Sequence, residues 1–434
     1  MATLKAVRGT RDLLPPETES WNRIEATARA VFTRYNFGEI RTPVFEDTAL
    51  FARSVGEETD IVSKEMYTWE DRARAQSEKT QSLTLRPENT AGVVRAYIEH
   101  GLGESGQLQK LYYIGPQFRR ERPQKGRYRQ FWQIGAEVIG PPSSGSESPL
   151  RDAEVLEMLA TLLNELKIEG WTLELNSVGS SADREKYNDV LRAAIADVAP
   201  KMCGDCQRRA VTNPLRVLDC KVPEDQPIIE KLPKVGDSLG QESKDHFAAV
   251  LAGLDAAGVA YKLNQRLVRG LDYYTRTTFE FTHGGLGAQN ALLGGGRYDG
   301  LSEAIGGPKA PGIGFAIGLD RLVLTLQAQE QTKAAAPAAR IDAYIAPIGE
   351  SLNAAALVLA RELRKAGLRV ELGDGSFRLK KSFEAADKVA RSIVILGEDE
   401  YQSGILTVKD FTTGTQTKVP RAELARVLSE PGGQ

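Results

Sequence analysis

The stretch FRRERPQKGRYRQF, residues 118–131, lies between two apolar and aromatic segments, KLYYIGPQF at 110–118 and FWQIGAEVI at 131–139. Aromatic and β-branched residues dominate both flanking segments, so each predicts a β-strand. Six basic residues and one acidic residue fall between positions 119 and 129. The pattern therefore predicts a β-hairpin whose arms and tip carry positive charge.

The positive charge of this hairpin is local. The chain carries 56 Lys and Arg against 58 Asp and Glu, a formal net charge of -2, so no global field attracts nucleic acid. Cations crowded on a two-stranded ribbon repel one another unless an anion is bound, and arginine matches phosphate oxygens bidentately. We therefore favour a phosphate ligand over a solvated surface ribbon. Charge alone leaves nucleotide and RNA both open.

Length and composition limit the class of protein. A chain of 434 residues, 41% hydrophobic and 7% aromatic, is expected to form two or three domains with large cores. The N-terminal sequence MATLKAVRGTRDLLPPE has no apolar run typical of a signal peptide. No apolar stretch is long enough to predict a membrane span. Three cysteines do not make a disulfide framework, which favours a reducing, cytoplasmic location.

Apolar periodicity and turn residues divide the chain into segments. The residues beyond position 339 alternate between strand and helix patterns, which predicts a small α/β domain of 95 residues. The pattern upstream predicts helices at 17–35 and about 151–167, strands at 171–180, 261–268 and 275–283, a charged helical segment at 181–250, a strand turning into a helix at 312–326, and a linker at 327–339.

One polar turn is predicted at LTLRPENT, residues 83–90. Arg86 and Glu88 flank a proline there, between a strand pattern and a helix pattern. Asn89 or Thr90 is in position to cap that helix. Helix capping and ligand binding both remain open for this stretch.

Other turns are rich in glycine. LVRGLDYYTRTTFEF, residues 267–281, places an arginine, an aspartate and paired tyrosines beside a glycine. GGGRYDGL at 294–301 and GIGFAIGLDRL at 312–322 predict glycine turns that each carry an arginine. Neither the dinucleotide-binding pattern nor the P-loop pattern is present.

The cysteines and histidines give weak signals. Cys203 and Cys206 have the spacing of metal ligands, and Cys220 offers a third sulfur. No fourth ligand is evident nearby, because His246 is distant in sequence, so we predict no metal site. The three histidines of the chain are not placed as in a catalytic triad.

Several of these stretches together resemble a known family. The first helix with TPVFED, the stretch FRRERPQKGRYRQFWQIGAE, and GIGFAIGLDRL resemble the three motifs of the class II aminoacyl-tRNA synthetases. LVRGLDYYTRTTFEF and GGGRYDGL resemble the two stretches specific to histidyl-tRNA synthetases. The resemblance runs from about residue 5 into the C-terminal domain. It implies an α+β fold, with an antiparallel sheet core bordered by helices and not a Rossmann fold.

The resemblance also implies an organisation into domains. It gives a class II catalytic core at 1–180 and 251–326, a helical insertion at 181–250, a linker at 327–339 and an anticodon-binding α/β domain at 340–434.

The activity implied is the charging of histidine tRNA. Histidine and ATP, with Mg²⁺ expected, would give histidyl-adenylate and pyrophosphate, and the histidyl group would then pass to the 3′ end of the histidine tRNA. The family implies a homodimer, and neither DNA nor membrane is expected as a partner. The two polyanionic ligands, ATP and tRNA, would meet the same basic hairpin.

The resemblance assigns roles residue by residue. It implies that Arg119 and Arg269 are catalytic. It implies a histidine site made of Glu88, Thr90, Gln133, Glu137, Arg269, Tyr273, Tyr274 and Tyr298. It implies an ATP site made of Arg119, Arg127, Glu137 and Arg321. It implies that Arg122 and Gln124, at the hairpin tip, contact the acceptor end of the tRNA.

One departure and two rival functions accompany the resemblance. Asn89 stands where glycine is expected. A non-catalytic relative, the regulatory subunit of ATP phosphoribosyltransferase, keeps the class II core, but it usually lacks the C-terminal domain and the arginines found here. An RNA-binding protein without activity would not need the histidine pocket. The sequence favours the enzyme.

Overall fold

The computed structural model describes residues 3–56, 59–71, 80–123, 126–286, 290–332 and 340–430. The chain divides into two compact units, Met1–Lys333 and Ala334–Gln434. Within the described ranges, every helix is too short or too polar to cross a membrane.

The first unit is built on one large sheet and one small sheet. The eight-stranded sheet has the order β1-β5-β6-β11-β10-β9-β7-β8, and the three-stranded sheet has the order β2-β4-β3. The six strands from β5 to β7 pair antiparallel, and only the two edge strands, β1 and β8, pair parallel. The strands are β1 Gly38–Glu39, β2 Phe45–Asp47, β3 Tyr67–Asp71, β4 Gln81–Leu85, β5 Gln109–Phe118, β6 Gln130–Ile139, β7 Trp171–Ser177, β8 Lys262–Leu263, β9 Thr275–His283, β10 Ala291–Arg297 and β11 Gly312–Gly318.

Helices cover this sheet and bury its main core. Helix α1 buries the apolar face that its sequence predicts, including Trp21, Ile24 and Phe32, against the sheet and α4. The helices of the unit are α1 Glu17–Arg34, α2 Thr48–Val55, α3 Thr90–Glu99, α4 Pro149–Glu165, α5 Ser181–Ala196, α6 Gly204–Thr212, α7 Gln226–Ile229, α8 Gln241–Ala257, α9 Leu301–Ala304 and α10 Leu319–Thr332.

The predicted basic hairpin is present. β5 and β6 pair antiparallel along their whole length, from Gln109 opposite Ile139 to Phe118 opposite Gln130. The strand predicted at 275–283 is also found, as β9. Both predictions rest on the aromatic and β-branched residues of these segments, which fit a pleated surface.

Strand β10 corrects the prediction of a glycine turn at 294–296. The three glycines lie inside the strand, paired with β9 on one side and β11 on the other. A side chain at Gly294 would lie 2.5 Å from the Arg269 guanidinium, and one at Gly296 would lie 2.8 Å from the Tyr274 ring. The strand therefore uses glycine to let large side chains pack against it.

Two other segments differ from the sequence prediction. Only Lys262–Leu263 of the strand predicted at 261–268 is a strand. The chain turns at Asn264, whose side chain accepts a hydrogen bond from the Arg266 backbone and whose carbonyl accepts one from Leu267. Helix α10 continues to Thr332, so the first residues of the predicted linker are helical. The remaining linker residues, 333–339, lie outside the described residues.

The segment at 181–250 is helical, as predicted, and has a small core of its own. Tyr187, Leu191 and Cys206 are buried in this core. Helix α8 runs across the predicted boundary at residue 250, and its Val250 and Leu254 belong to the main core.

The second unit is a five-stranded sheet with helices. Its strand order is β13-β12-β14-β15-β16, with β13, β12 and β14 parallel and β15 and β16 added antiparallel. The elements are β12 Ile341–Pro347, α11 Asn353–Lys365, β13 Val370–Leu372, α12 Leu379–Val389, β14 Ala390–Leu396, α13 Glu398–Ser403, β15 Ile405–Asp410, β16 Gln416–Pro420 and α14 Leu424–Ser429.

A buried ion pair ties α4 to the large sheet. Arg297, at the end of β10, and Asp152, on α4, have no exposed surface. The Arg297 Nε donates to Asp152 at 3.1 Å, and its Nη1 donates to the Ser146 carbonyl at 2.9 Å and to Asp299 at 3.0 Å. Removing one partner of such a pair leaves a buried charge uncompensated.

We expect Asp152→Asn to lower the free energy of unfolding by about 3–5 kcal/mol, because the buried Arg297 guanidinium loses its buried counter-charge and keeps only the partly exposed Asp299. Urea unfolding followed by fluorescence measures the change. The matched control is Asp189→Asn, which breaks an exposed pair with Arg192 and should cost about 0–1 kcal/mol. Equal effects of the two substitutions would show that the buried pair has no special role.

Candidate active site

A cavity of about 710 Å³ opens in the first unit, over the large sheet. Its volume is in the range of ordinary ligand sites. The turn before α3, the basic hairpin, the turn at 269–274, strands β9 to β11 and the start of α10 all contribute to its wall. Nine residues of the predicted site line it: Glu88, Thr90, Arg119, Arg127, Gln133, Arg269, Tyr273, Tyr274 and Arg321.

Glu88 holds the start of α3. Its buried carboxylate accepts hydrogen bonds from the backbone N–H groups of Thr90 at 2.8 Å and Ala91 at 3.0 Å. These are first-turn donors that have no partner inside the helix. Asn89 has an ordinary φ of -117° and its side chain accepts from the Thr42 hydroxyl at 2.8 Å. The turn therefore does not require glycine at position 89.

Glu137 is fully buried beneath this turn. The Thr90 hydroxyl donates to one of its oxygens at 2.7 Å, and the Tyr298 hydroxyl donates to the other at 2.7 Å. A side chain at Gly314 would lie 1.7 Å from the same carboxylate, so β11 needs glycine there. Burial raises the pKa of Glu137 to about 8, although its two hydrogen bonds oppose the shift.

Neither Glu137 nor Tyr298 is among the described residues that line the cavity. Their polar atoms are engaged with each other, and Glu137 reaches the cavity only through Thr90. To contact a ligand, Glu137 or Tyr298 would have to exchange one of these hydrogen bonds for one with the ligand. The prediction that Glu137 binds both histidine and ATP, and the prediction that Tyr298 binds histidine, stay predictions.

Aromatic rings form one end of the cavity. The ring centres of Tyr273 and Tyr274 are 4.7 Å apart. The ring of Tyr273 packs edge-on against that of Tyr298, with 6.0 Å between the ring centres. Gln133, on β6, lines the same cavity, and its side-chain carbonyl oxygen is buried without a hydrogen-bond partner. A buried acceptor without a partner costs free energy, so this position favours a ligand that donates a hydrogen bond.

Among the described residues, five arginines line the cavity: four belong to the predicted site, and the fifth, Arg266, donates to the Gln226 side chain at 2.7 Å. Arg119 donates from Nε to the Pro87 carbonyl at 2.9 Å, and its guanidinium lies 5.2 Å from the centre of the Phe131 ring. Arg127 pairs with Glu121 at 3.1 Å. These contacts fix the direction of the Arg119 guanidinium and leave donors on it for a ligand.

The other two arginines of the predicted site contact strands β9 and β10. Arg269 pairs with Glu280 on β9 and approaches β10 at Gly294. The Arg321 Nη1 donates to the Ala291 carbonyl at 2.7 Å. Burial, and then the charge of Arg127, lowers the pKa of Arg321. Cations held this close repel one another, which favours an anionic ligand between them.

One residue of the hairpin tip, Arg122, lies outside this cavity. Arg122 is exposed and is not among the lining residues. Gln124 lies outside the described residues. The geometry thus separates the arm of the hairpin, which faces the cavity, from Arg122, which faces solvent.

The wall also contains residues that the sequence prediction did not name, among them Tyr113, Phe131 and Glu280. Alternation along β5 and β6 could have placed Tyr113 and Phe131, because residues two apart share one face of a strand. Glu280 could have been found because it is a charged residue within the apolar sequence of β9.

Comparison with known proteins decides the family. The family model for histidyl-tRNA synthetase matches residues 9–322. A histidine–tRNA ligase from Koribacter versatilis is 72% identical over 432 residues, which cover 99% of this chain and 97% of that relative. The chain belongs to the histidyl-tRNA synthetase family. A second histidine–tRNA ligase, from Solibacter usitatus, is 55% identical, and the match covers 98% of this chain and 99% of that relative.

The structural comparison agrees with this family. An apo histidyl-tRNA synthetase from S. aureus matches with a TM-score of 0.79 and 36% identity, covering 99% of this chain and 100% of that chain. The anticodon-binding domain family matches residues 342–431. The predicted α+β class II fold with a C-terminal anticodon-binding domain is therefore confirmed. The relatives favour the synthetase over the regulatory subunit.

Glu137 generates a pH prediction. It keeps its proton up to about pH 8 in the folded chain, against an ordinary value of 4.5 when unfolded. Its contribution to stability is therefore fully present below pH 4.5 and is lost as the pH rises to about 8. Over this pH window, the free energy of unfolding of the wild type should fall as the pH rises, because Glu137 ionises more readily in the unfolded chain. Glu137→Gln cannot ionise, so its slope should be shallower by up to about 1.4 kcal/mol per pH unit.

Urea unfolding between these pH values measures the slope. Glu104→Gln, which changes an exposed carboxylate, serves as the control and should keep the wild-type slope. A Glu137→Gln slope equal to that of the wild type would contradict the protonated state.

Proposed function

We propose that this chain activates L-histidine with ATP to histidyl-adenylate and then transfers the histidyl group to the 3′ end of the histidine tRNA. The observation that carries the proposal is a single cavity that joins buried acceptors for an amino acid, Glu88 and Gln133, to four converging arginines. Membership of the histidyl-tRNA synthetase family supports the same function.

The arginines suit adenylate formation. In this step a carboxylate oxygen of histidine attacks the α-phosphorus of ATP, and the bond to the pyrophosphate oxygen breaks. The carboxylate is already an anion, so no general base is needed. Positioning and stabilisation of charge at phosphorus then account for catalysis. Arg119 and Arg269 flank the α-phosphate in this proposal, while Arg127 and Arg321 bind the outer phosphates.

The cavity also offers a way to bind ATP as its Mg²⁺ complex. Mg²⁺ is usually held by substrate phosphates together with one or two carboxylates. Glu121 and Glu280 supply carboxylates in the wall, beside Arg127 and Arg269. Both residues offer the hard oxygen ligands that Mg²⁺ prefers. We propose that Mg²⁺ binds as part of the nucleotide substrate.

Histidine is proposed to lie between the α3 turn and the tyrosines. Its ammonium group would donate to Glu88, Thr90 and Gln133. Its imidazole would meet Tyr274 and, through exchange of a buried hydrogen bond, Glu137. Tyr273 and Tyr298 would support the ring from the aromatic side. A site of this kind rejects amino acids that leave its polar groups unpaired.

The tRNA is proposed to contact the chain at two places. Arg122 and Gln124 at the hairpin tip would meet the acceptor end, and the domain at 340–434 would bind the anticodon, as its family match supports. We also propose the division into a core at 1–180 and 251–326, an insertion at 181–250 and a linker at 327–339. Assembly as a homodimer in the cytoplasm, without DNA as a ligand, completes the proposal.

ATP–pyrophosphate exchange with each of the twenty amino acids tests the function. We expect exchange with histidine and at most a trace with the other nineteen, because only histidine satisfies the polar groups of the cavity. No exchange with any amino acid would contradict the enzyme and favour a binding module. Exchange with a different amino acid would contradict the proposed pocket.

The arm and tip of the hairpin should separate in two assays. Arg119→Ala should abolish pyrophosphate exchange, because it removes a contact to the α-phosphate. Arg122→Ala should keep exchange near wild type and slow transfer to tRNA. It should also lower the log–log salt slope of tRNA binding by roughly 0.7 to 0.9, the effect of one lost phosphate contact.

Gln124→Ala is the matched control for charge. It should slow transfer but leave the salt slope unchanged, because glutamine is neutral. If all three variants kept wild-type rates in both assays, the hairpin would be a solvated ribbon and its proposed roles would be wrong.

A further inference from the structure

Three cysteines and an aspartate meet inside the helical segment. The sulfur atoms of Cys203, Cys206 and Cys220 and a carboxylate oxygen of Asp225 all lie within 4.8 Å of one another. Cys206, Cys220 and Asp225 are buried, and Cys203 is half-buried. We propose that these four residues bind one structural Zn²⁺ ion.

The distances fit a tetrahedral ion. Zinc–sulfur bonds of about 2.3 Å in a tetrahedron place the sulfurs about 3.8 Å apart. The sulfurs of Cys203 and Cys220 are 3.9 Å apart, and the Cys220 sulfur lies 3.3 Å from the Asp225 carboxylate. Cys203 and Cys206 are separated by two residues, a spacing typical of zinc ligands.

The start of a helix and nearby backbone donors position the ligand atoms. Cys203 and Cys206 lie at the start of the nine-residue helix α6, where the helix dipole stabilises negative charge. The backbone N–H of Val222 donates to the Cys220 sulfur at 3.4 Å. The backbone N–H of Cys203 donates to Asp225 at 3.1 Å, which orients that carboxylate toward the sulfurs. Such contacts commonly fix metal ligands in place.

The ligand set of three thiols and one carboxylate decides which ion the cluster favours. Binding would release the thiol protons to solvent and leave the sulfurs as ligands, without any change of oxidation state. Soft thiolates in a tetrahedron select zinc over magnesium or calcium. All four positions are filled by protein, which indicates a structural ion and not a catalytic one.

The same segment supports the active-site turn. The Arg216 Nη1 donates to the Gly270 carbonyl at 2.9 Å, and the Asn213 side chain donates to Asp272 at 2.8 Å. Both residues lie between Cys206 and Cys220 in the chain. An ion that joins α6 to Asp225 would therefore fix the segment that holds the turn carrying Arg269.

Metal analysis of the full chain tests the site. The protein is produced in zinc-sufficient medium and purified without a chelator or a metal-affinity step, under reducing conditions. Inductively coupled plasma mass spectrometry should find about one zinc per chain, and cobalt substitution should give the visible spectrum of a tetrahedral, sulfur-rich site. A chain that is metal-free as purified and takes up no added Zn²⁺ would overturn the proposal, as would stoichiometric iron in its place.

Variants identify the ligands. Asp225→Asn keeps the shape of the side chain and should weaken zinc binding at least about tenfold in competition with a chelator. Glu224→Gln changes the neighbouring exposed carboxylate and should bind zinc as the wild type does. Cys203→Ser, at the half-buried position, should lose the charge-transfer bands of one sulfur in the cobalt form. Wild-type zinc affinity in Asp225→Asn or Cys203→Ser would assign the metal elsewhere.

A thiol count separates metal binding from oxidation. In denaturant without reductant, three free thiols should be found once zinc is removed. One free thiol in a metal-free preparation would indicate a disulfide, such as Cys203–Cys220, and would overturn the zinc site. Because metal content and thiol count do not depend on aminoacylation, these results stand apart from the test of the proposed function.

Discussion

The active site depends on the absence of side chains along two central strands. β10 places glycine at three consecutive positions, and β11 adds glycine beside them. The Arg269 guanidinium and the Tyr274 ring occupy the space above Gly294 and Gly296, and Glu137 occupies the space above Gly314. Glycine weakens a strand because it gains no packing of its own. Here the packing comes instead from polar side chains of the site, so the sheet and the site stabilise each other.

This arrangement also explains how four arginines can converge. Each guanidinium keeps at least one fixed contact: Arg119 with Pro87, Arg127 with Glu121, Arg269 with Glu280 and Arg321 with Ala291. These contacts hold the charges in place, so the proposed reaction would need little reorganisation as negative charge develops at phosphorus. Repulsion between the arginines opposes their convergence, and a bound polyphosphate would relieve it. In the proposed function, binding energy and catalytic geometry come from the same groups.

Local patterns in the sequence predicted much of the fold, and the resemblance to a known family named nine residues that line the cavity. Aromatic and β-branched content identified β5, β6 and β9, and helical periodicity identified α1 and α4. Composition could not identify β10. Its glycines are needed because the side chains of Arg269 and Tyr274, from another part of the chain, pack against the strand. The burial of Glu137 behind Thr90 could not be predicted for the same reason. Asp225 was missed as a partner of the cysteines because it follows Cys220 outside any known spacing pattern.

The helical segment at 181–250 supports the active-site turn at 269–274 through hydrogen bonds. Arg184 on α5 donates to the carbonyls of Asp272 and Tyr274 at 2.8 Å and 2.6 Å. Arg216 and Asn213 hold Gly270 and Asp272 in the same turn. Arg184 and Arg216 satisfy backbone carbonyls of the turn before β9, and Asn213 donates to the Asp272 side chain. The position of Arg269 therefore depends on two supports, the glycine face of β10 and the donors of the helical segment. A disturbance of the cysteine cluster would therefore reach Arg269 through this turn, without any change in the sheet.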